Sequence, residues 1–506
     1  MMTSSKGRAR ATSPPPYHPK EEEEERNEVV AAAADAVLSS PPLTQISDLP
    51  DELLENIFCR LSPYNDLEHV KMTCKRWYDI AQKVVLFLQT NFEDAVIKGR
   101  VTTARLSAGI NHLGQIVPPG SWATERFGHM ACYYDKCLYI VGGTTHTPTT
   151  FNDMWRFDLG AGKWSRCLGQ GQYPTPKALA SATVIKDNLV IFGGWSHPSA
   201  YPLMQPWRIF DELHIYNFTS NRWTLVIGSV KSPFPTAGHS ASIVGDKMVI
   251  FGGRIFNQAE QSYPLSNSVW VFDFDSQEWS ELGIIGMSQT PSARYGPTQV
   301  TLDDTHILIV GGCGGPNQIF SDVWLLTLIF GTGRNALKGK WDKVEIANSE
   351  MFTTNDFHYH GCKVGNSVVF LERASPMSPF LAFLQYDVQH NPPGGDQQQR
   401  GANFDPVGQR YFHSRRPSGA RGSNSQATMS IYSLDISNVI ASQTAAWAKE
   451  LASNSLLTRP DERLLYSMVQ GRAQLVLFGG FYKDTTSPRC RVSSDVFVIN
   501  QLHKSY

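Results

Sequence analysis

Leu189-Val190-Ile191-Phe192-Gly193-Gly194 is an apolar run closed by a glycine pair, and the same arrangement recurs along the chain. Leu138 to Val141 precede Gly142-Gly143, Met248 to Phe251 precede Gly252-Gly253, Ile307 to Val310 precede Gly311-Gly312, and Leu475 to Phe478 precede Gly479-Gly480. The successive intervals Gly142 to Gly193, Gly193 to Gly252 and Gly252 to Gly311 are 51, 59 and 59 residues. Self-similarity at that spacing marks an array in which each repeat folds as one four-stranded propeller blade. Most of the chain is therefore committed to a repeat architecture and not to an ordinary enzyme core.

Other positions recur in the same frame. A tryptophan follows at Trp164, Trp223, Trp279 and Trp341, large enough to fill the wedge between neighbouring blades. An acidic residue opens the intervening strand in Asp153-Met154-Trp155, Asp211-Glu212-Leu213, Asp322-Val323-Trp324 and Asp495-Val496-Phe497, while the third repeat carries Ser268 there. The long interval from Gly311 to Gly479 accommodates a degenerate fifth repeat. Its strands are expected at Tyr359 to Val364, Ser367 to Leu371, Met429 to Leu434 and around Trp447, with Leu371-Glu372 replacing the glycine pair. The reading is a mainly β fold, a six-bladed kelch-type β-propeller over 126–500. The sixth repeat ends at Ile499 without its tryptophan strand, so a strand from Val101 to Pro118, within the 99–125 linker, is expected to close the ring.

Composition bounds the rest. A 506-residue chain should hold at least two folded parts. A net charge of −1 argues for neither nucleic acid nor a membrane surface. The eight cysteines form no Cys-x-x-Cys pair, no zinc spacing or phosphate loop is present, and no catalytic constellation, metal or cofactor is expected. No signal sequence is read in Met1 to Pro19, and the expectation is an intracellular protein of cytoplasm or nucleus. Residues 1–43, with the acidic block Glu21 to Glu25, and an insertion at about 375–427 lack the composition to form a core.

The second signature lies at residues 49–78. It comprises Leu49-Pro50-Asp51-Glu52-Leu53-Leu54, Ile57-Phe58, Leu61, Asp66-Leu67, Val70 and Cys74-Lys75-Arg76-Trp77. Pro50 suits a helix start, Asp51 and Glu52 complement its N-terminus, and the apolar residues recur at helical spacing. A second short helix is expected through Cys74 and a third from Lys75. So few residues cannot cover that much apolar surface alone, which calls for a partner.

This block resembles an F-box, and 44–98 is read as a small all-α F-box domain ahead of the propeller. The combination with kelch repeats resembles the animal F-box only protein 42 group. That likeness rests on Phe192-Gly193-Gly194-Trp195, Tyr201-Pro202-Leu203, Gln205-Pro206, Gly311 to Asn317 and Val469-Gln470-Gly471-Arg472. The resemblance implies a non-catalytic substrate receptor that binds the Skp1 adaptor and, through it, the cullin and RING subunits of a ubiquitin ligase. The adaptor-facing set it implies is Leu49, Pro50, Leu53, Ile57, Leu61, Leu67, Val70 and Trp77, with Leu54 and Phe58 holding the helices together. The alternative is a kelch scaffold acting outside a ligase. Kelch propellers also occur in copper oxidases, which are typically secreted.

In a four-stranded blade the segments after the glycine pairs gather on one rim. Just before each innermost strand, on the same rim, stand Arg126, Lys177, Arg294 and Arg463. These four cations, with Trp195, Tyr201 and Trp207, are the expected client contacts, suited to an acidic or phosphorylated segment. His129 and His239 share one repeat position, with His360 as its degenerate counterpart, and read as structural groups.

Overall fold

The structure, a computed structural model, describes residues 45–502 apart from 107–120, 198–207, 350–359, 373–427, 449–458 and 484–489, with short breaks at 146, 148, 228–230, 261, 287–288, 316–317 and 332–336. The readings of 1–43, of the 375–427 insertion and of Tyr201 and Trp207 lie outside the described residues. The chain forms two compact units, Met1–Arg60 and Leu61–Tyr506.

In the first unit a 3-10 turn, Ile46–Asp48, precedes helix α1, Asp51–Phe58. Pro50 stands at the N-cap and Asp51 and Glu52 in the first turn, where carboxylates complement the exposed amides. Leu54 and Phe58 form the buried face.

The second unit opens with α2, Asp66–Lys71, and α3, Lys75–Ile97. The second helix ends at Lys71, short of the expected Cys74, because Met72 and Thr73 turn back onto the carbonyls of His69 and Val70. Asp66 acts before its own helix begins, its Oδ2 accepting the Ser62 amide at 3.1 Å. The 23 residues of α3 make a rod about 34 Å long at 1.5 Å per residue. Its C-terminal half buries Phe92, Ala95 and Val96 in one cluster with Val364, Leu371, Leu477 and Phe497. Gly99 (φ +66) then turns the chain into a strand, Val101–Leu106.

That strand pairs antiparallel with Val496–Gln501 over six residues, Val101 opposite Gln501 and Leu106 opposite Val496. It is the outer edge of a sheet whose inner members are Gln474–Phe478 and Ser467–Gln470. An early segment thus completes the last meander, in the place the sequence leaves without a tryptophan strand. Other meanders run in simple chain order. Met130–Tyr134, Cys137–Val141, Met154–Asp158 and Lys163–Cys167 form the first; strands ending at Trp223, Trp279 and Trp341 or just beyond form the next three. In the degenerate fifth repeat the strands are Cys362–Val364, Ser367–Glu372, Ser430–Asp435 and Thr444–Trp447. The inner strands touch in sequence: Met130–Tyr134, Ser181–Ile185, Ser240–Val244, Thr298–Thr301, Cys362–Val364 and Ser467–Gln470, which returns to the first. The result is a closed, propeller-type ring.

Two repeated contacts hold neighbouring meanders together. Each tryptophan lies against the apolar strand of the preceding meander: Trp164 on Phe478 at 5.2 Å, Trp279 on Phe192 at 4.8 Å and Trp341 on Phe251 at 5.3 Å between ring centroids. Second glycines donate their amides to a carbonyl of the following repeat, Gly143 to Lys177 (2.9 Å), Gly194 to Thr236 (2.8 Å) and Gly253 to Arg294 (2.8 Å). Gly480 makes the same bond to Arg126 (2.9 Å), joining the last repeat to the first. A Cβ on the first glycine would strike the same carbonyl, at 2.6 Å for Gly252 against Arg294 O and 2.7 Å for Gly479 against Arg126 O. Both glycines also have positive φ, so both sterics and dihedral demand glycine.

Gly252→Ala and Gly245→Ala separate these two demands. Gly245 has positive φ but open space around a Cβ, so its variant should lose about 1–2 kcal/mol, the left-handed backbone cost alone. Gly252→Ala must also displace the Arg294 carbonyl and should lose on the order of 3 kcal/mol or more. Urea unfolding of the two variants beside the parent checks the order.

Candidate functional site

The adaptor-facing set divides by exposure. On α1, Leu53 (49% exposed) and Ile57 (38%) face outward, as does Pro50, while Leu49 is half-buried. In the second unit Leu61, Val70 and Trp77 are half-buried. Leu67 is fully buried, a correction to its place in the set: α2 is so short that its one well-buried position must seat it on the rest of the unit. Met72 is 75% exposed and Tyr78 45%, apolar surface that the sequence reading did not single out.

On the glycine-pair rim the four cations are not presented to a partner. Arg126, Arg294 and Arg463 are 0% exposed and Lys177 is 1% exposed. Arg126 grips Asp153 with two bonds (Nη1 to Oδ1 2.6 Å, Nη2 to Oδ2 3.1 Å) and donates from Nη1 to the Gly142 carbonyl at 2.9 Å. Arg294 does the same to Asp322 (2.6 and 3.0 Å) and the Gly311 carbonyl (2.8 Å). Lys177 donates to Glu212 Oε2 at 2.9 Å. An aromatic ring covers each cation: Phe151 over Arg126 at 4.4 Å, Phe210 over Lys177 at 4.7 Å, Phe320 over Arg294 at 4.2 Å. The expectation of a cationic channel mouth is therefore corrected. A client carboxylate or phosphate could reach Arg126, Lys177 or Arg294 only by displacing both an internal acid and a ring.

Burial alone would raise the Asp153 and Asp322 carboxyls, but the hydrogen bonds and charge of their arginines outweigh it and hold both below the usual range. For Lys177, burial wins over Glu212 and lowers its pKa. The third repeat lacks cation, ring and acid together: Thr236, Ser266 and Ser268 stand in the three places, and Arg294 N donates to Ser266 O where Lys177 N donates to Phe151 O. In the last repeat Arg463 bonds Gly479 O (3.0 Å) and Ser493 Oγ, while its Nη2 makes no hydrogen bond and lies 3.9 Å from Asp461 Oδ2; Asp495 is bonded instead by Arg105 of the closing strand at 2.7 Å. The lids were missed in the sequence. Their signal is an aromatic two residues before the paired acid, lost when the acid is lost.

Trp195 folds back beside Ala178, Ala237 and Ile209 and is nearly buried, so it too is withdrawn from the rim. The axial channel holds a cavity of about 230 Å³ lined by His129, His239 and His360 with Ser181, Ser467, Thr298 and Gln299. His129 Nε2 lies 2.7 Å from Ser467 Oγ and His239 Nε2 2.8 Å from Ser181 Oγ, each tying one inner strand to the preceding repeat. Burial drives His239 and His360 down to about 3, and pushes His129 well below its ordinary value. These histidines are neutral fasteners. No group of three or more metal-ligating side chains occurs among the described residues.

Residues 46–89 match the F-box-like family, and 126–333 match the family described as FBX42, beta-propeller domain. The chain joins an F-box-like domain to a kelch-type propeller. It is 28% identical to Kelch domain-containing protein 2 of Bos taurus over 42% of this chain and 54% of that protein. It is 26% identical to Kelch domain-containing protein 1 of Mus musculus over 38% of this chain and 46% of that protein. The chain thus spans about half the length of these relatives. Among solved structures, one described as "Structure of YjhT" aligns over 75% of this chain and 96% of its own at 16% identity, with a TM-score of 0.45.

Two outcomes are expected. Arg294→Ala should cost about 3–5 kcal/mol by stranding the Asp322 carboxylate. Arg294→Thr/Phe320→Ser/Asp322→Ser, which copies the third repeat, should recover a large part of that loss in the same denaturant titration. The histidines set the acid limb. Their folded pKa values lie below the unfolded value of about 6.5, so the unfolded chain takes up protons first. Stability should be level above about pH 6.5 and fall as pH drops below it, and His239→Gln should flatten the fall measured by melting between pH 6.5 and 5.

Proposed function

We propose that the chain is the substrate-recognition subunit of a Skp1–cullin–F-box ubiquitin ligase. In this reading the F-box domain, over 44–98, binds the Skp1 adaptor. A propeller of six blades, over 126–500 with its outermost edge supplied by Val101–Leu106, binds a client protein. Cullin and RING subunits join through the adaptor, and the chemistry of ubiquitin transfer belongs to them. No residue of this chain is assigned a catalytic role.

The observation that carries the reading is the exposed apolar face of α1. Leu53 and Ile57 turn outward while Leu54 and Phe58, their immediate neighbours, are buried. A helix of eight residues with both faces apolar is half covered by its own fold and asks for a second surface. The match to the F-box-like family supports reading that surface as the adaptor's.

The client is assigned to the rim formed by the segments after the glycine pairs, with Tyr201 and Trp207 as its proposed aromatic contacts. The opposite end of the ring is already engaged by α2 and α3. With the rim cations neutralised internally, recognition on this reading rests on loop shape and aromatic surface more than on a ring of positive charge. Joining adaptor and client in one chain raises the effective concentration of client lysines at the conjugating enzyme. Among the described residues no helix is long and apolar enough to cross a membrane, and neither membrane nor nucleic acid is proposed as a partner.

Leu53→Asp/Ile57→Asp tests this directly. Both side chains are exposed, so the fold should survive, with an unchanged melting midpoint. Co-purification of Skp1 and cullin with the tagged parent chain should fall at least tenfold in the variant. A well-folded parent that recovers no Skp1 would leave the second reading, a kelch scaffold outside a ligase.

A further inference from the structure

The end of the ring opposite the glycine pairs meets the segment leading into α2 and helix α3, and three glycines in its turns make room for them. A Cβ at Gly471 would strike Tyr64 Oη, one at Gly160 would strike the Asn65 amide, and one at Gly365 would meet Glu93 Oε2 at 2.7 Å. At the centre of this footing is Arg472, in the turn between Ser467–Gln470 and Gln474–Phe478. Its backbone amide donates to Tyr64 Oη at 3.1 Å, and its Nη1 donates to the Pro63 carbonyl at 2.6 Å and pairs with Glu68. Its guanidinium lies 5.8 Å from the centre of the Tyr64 ring. Tyr64 is itself 3% exposed.

We infer that Arg472 is a positioning residue that fixes the angle between the propeller ring and helices α2 and α3. At its C-terminal end α3 is seated in the ring's own core through Phe92, Ala95 and Val96, and Leu502 N bonds Arg100 O at 2.9 Å just beyond it. One attachment near the end of a rod of about 34 Å leaves the far part free to swing. Arg472 supplies a second, hydrogen-bonded one on the 62–68 segment and the start of α2, beside the packing of Asn65 against Gly160 and far from Phe92 along the chain. Two separated attachments remove the rotation that one permits. Glu68 is the only one of its partners that a charge change can reverse, and it also bonds Lys71 at 2.9 Å.

The chemistry suits a rigid joint. Burial would lower the Arg472 pKa, but the Glu68 hydrogen bond and charge outweigh it and raise it, so the cation persists at any physiological pH. Glu68 is correspondingly held below the ordinary carboxylate range: burial opposes this, and Lys71 and Arg472 together prevail. The joint is therefore insensitive to pH near neutrality. Resting on the ligase reading for its purpose, it sets a constant span between adaptor and client.

The test uses the full chain with nitroxide labels on unnatural amino acids at His69 in α2 and Lys186 in a turn of the second repeat. Pulsed electron–electron distance measurements compare the parent, Arg472→Glu, Glu68→Arg, and the double reversal. The parent should give one narrow distance peak. Each single variant should broaden it at least twofold and lower the melting midpoint, and the double reversal should narrow the peak again and recover most of the midpoint. Unchanged width in Arg472→Glu overturns the proposal, as does a fall in midpoint with no broadening, which would make Arg472 merely structural. Skp1 co-purification run on the same samples keeps the two claims apart. Its absence from the parent would sink the ligase reading while leaving the distance result standing.

Discussion

The ring depends on a short bond made at four of its joints, the amides of Gly143, Gly194, Gly253 and Gly480 each donating to a backbone carbonyl in the next repeat. The bond requires two backbones to approach with no Cβ between them, and it requires positive φ at both glycines. Once made, it brings the inner strands side by side and leaves a wedge outside that the tryptophans fill. The bond from Gly480 to Arg126 is the same contact made between the two ends of the array. It acts together with the Val101–Leu106 strand, so closure is held at the rim by a hydrogen bond and at the edge by a six-residue ladder.

Much of this was legible because it recurs. Glycine pairs, tryptophans and strand-opening acids repeat in one frame, and a repeated residue states its structural role several times over. The cations recur in that frame as well, yet their fate was not legible. Arg126 and Asp153 are 27 residues apart, and nothing in local pattern says that one closes on the other. The third repeat held the clue, since Thr236 and Ser268 abandon cation and acid together, and Ser266 abandons the ring. A buried ion pair costs most when half of it is removed, so concerted loss is the expected form of divergence. The closing strand could not be placed because an outermost strand with no tryptophan carries none of the repeat's marks.

In the helical part, the amphipathic spacing gave the helices but not which apolar residues face out. Leu67 and Leu53 look alike in sequence. One is buried because α2 is too short to be held by anything else, and the other is exposed because Leu54 and Phe58 already seat α1. Arg472 belonged to a family signature without a role. Its work lies in contacts with residues some 400 positions earlier, Pro63 and Glu68, which no local reading connects.

The ring carries α2 and α3 at one end and a loop-built rim at the other. Hydrogen–deuterium exchange of the full chain, alone and with purified Skp1, tests that division most directly. The account predicts added protection confined to the 45–78 segment, with exchange in the segments after Gly194, Gly253 and Gly312 unchanged. Protection of the glycine-pair rim by Skp1, or none anywhere at saturating Skp1, would contradict it.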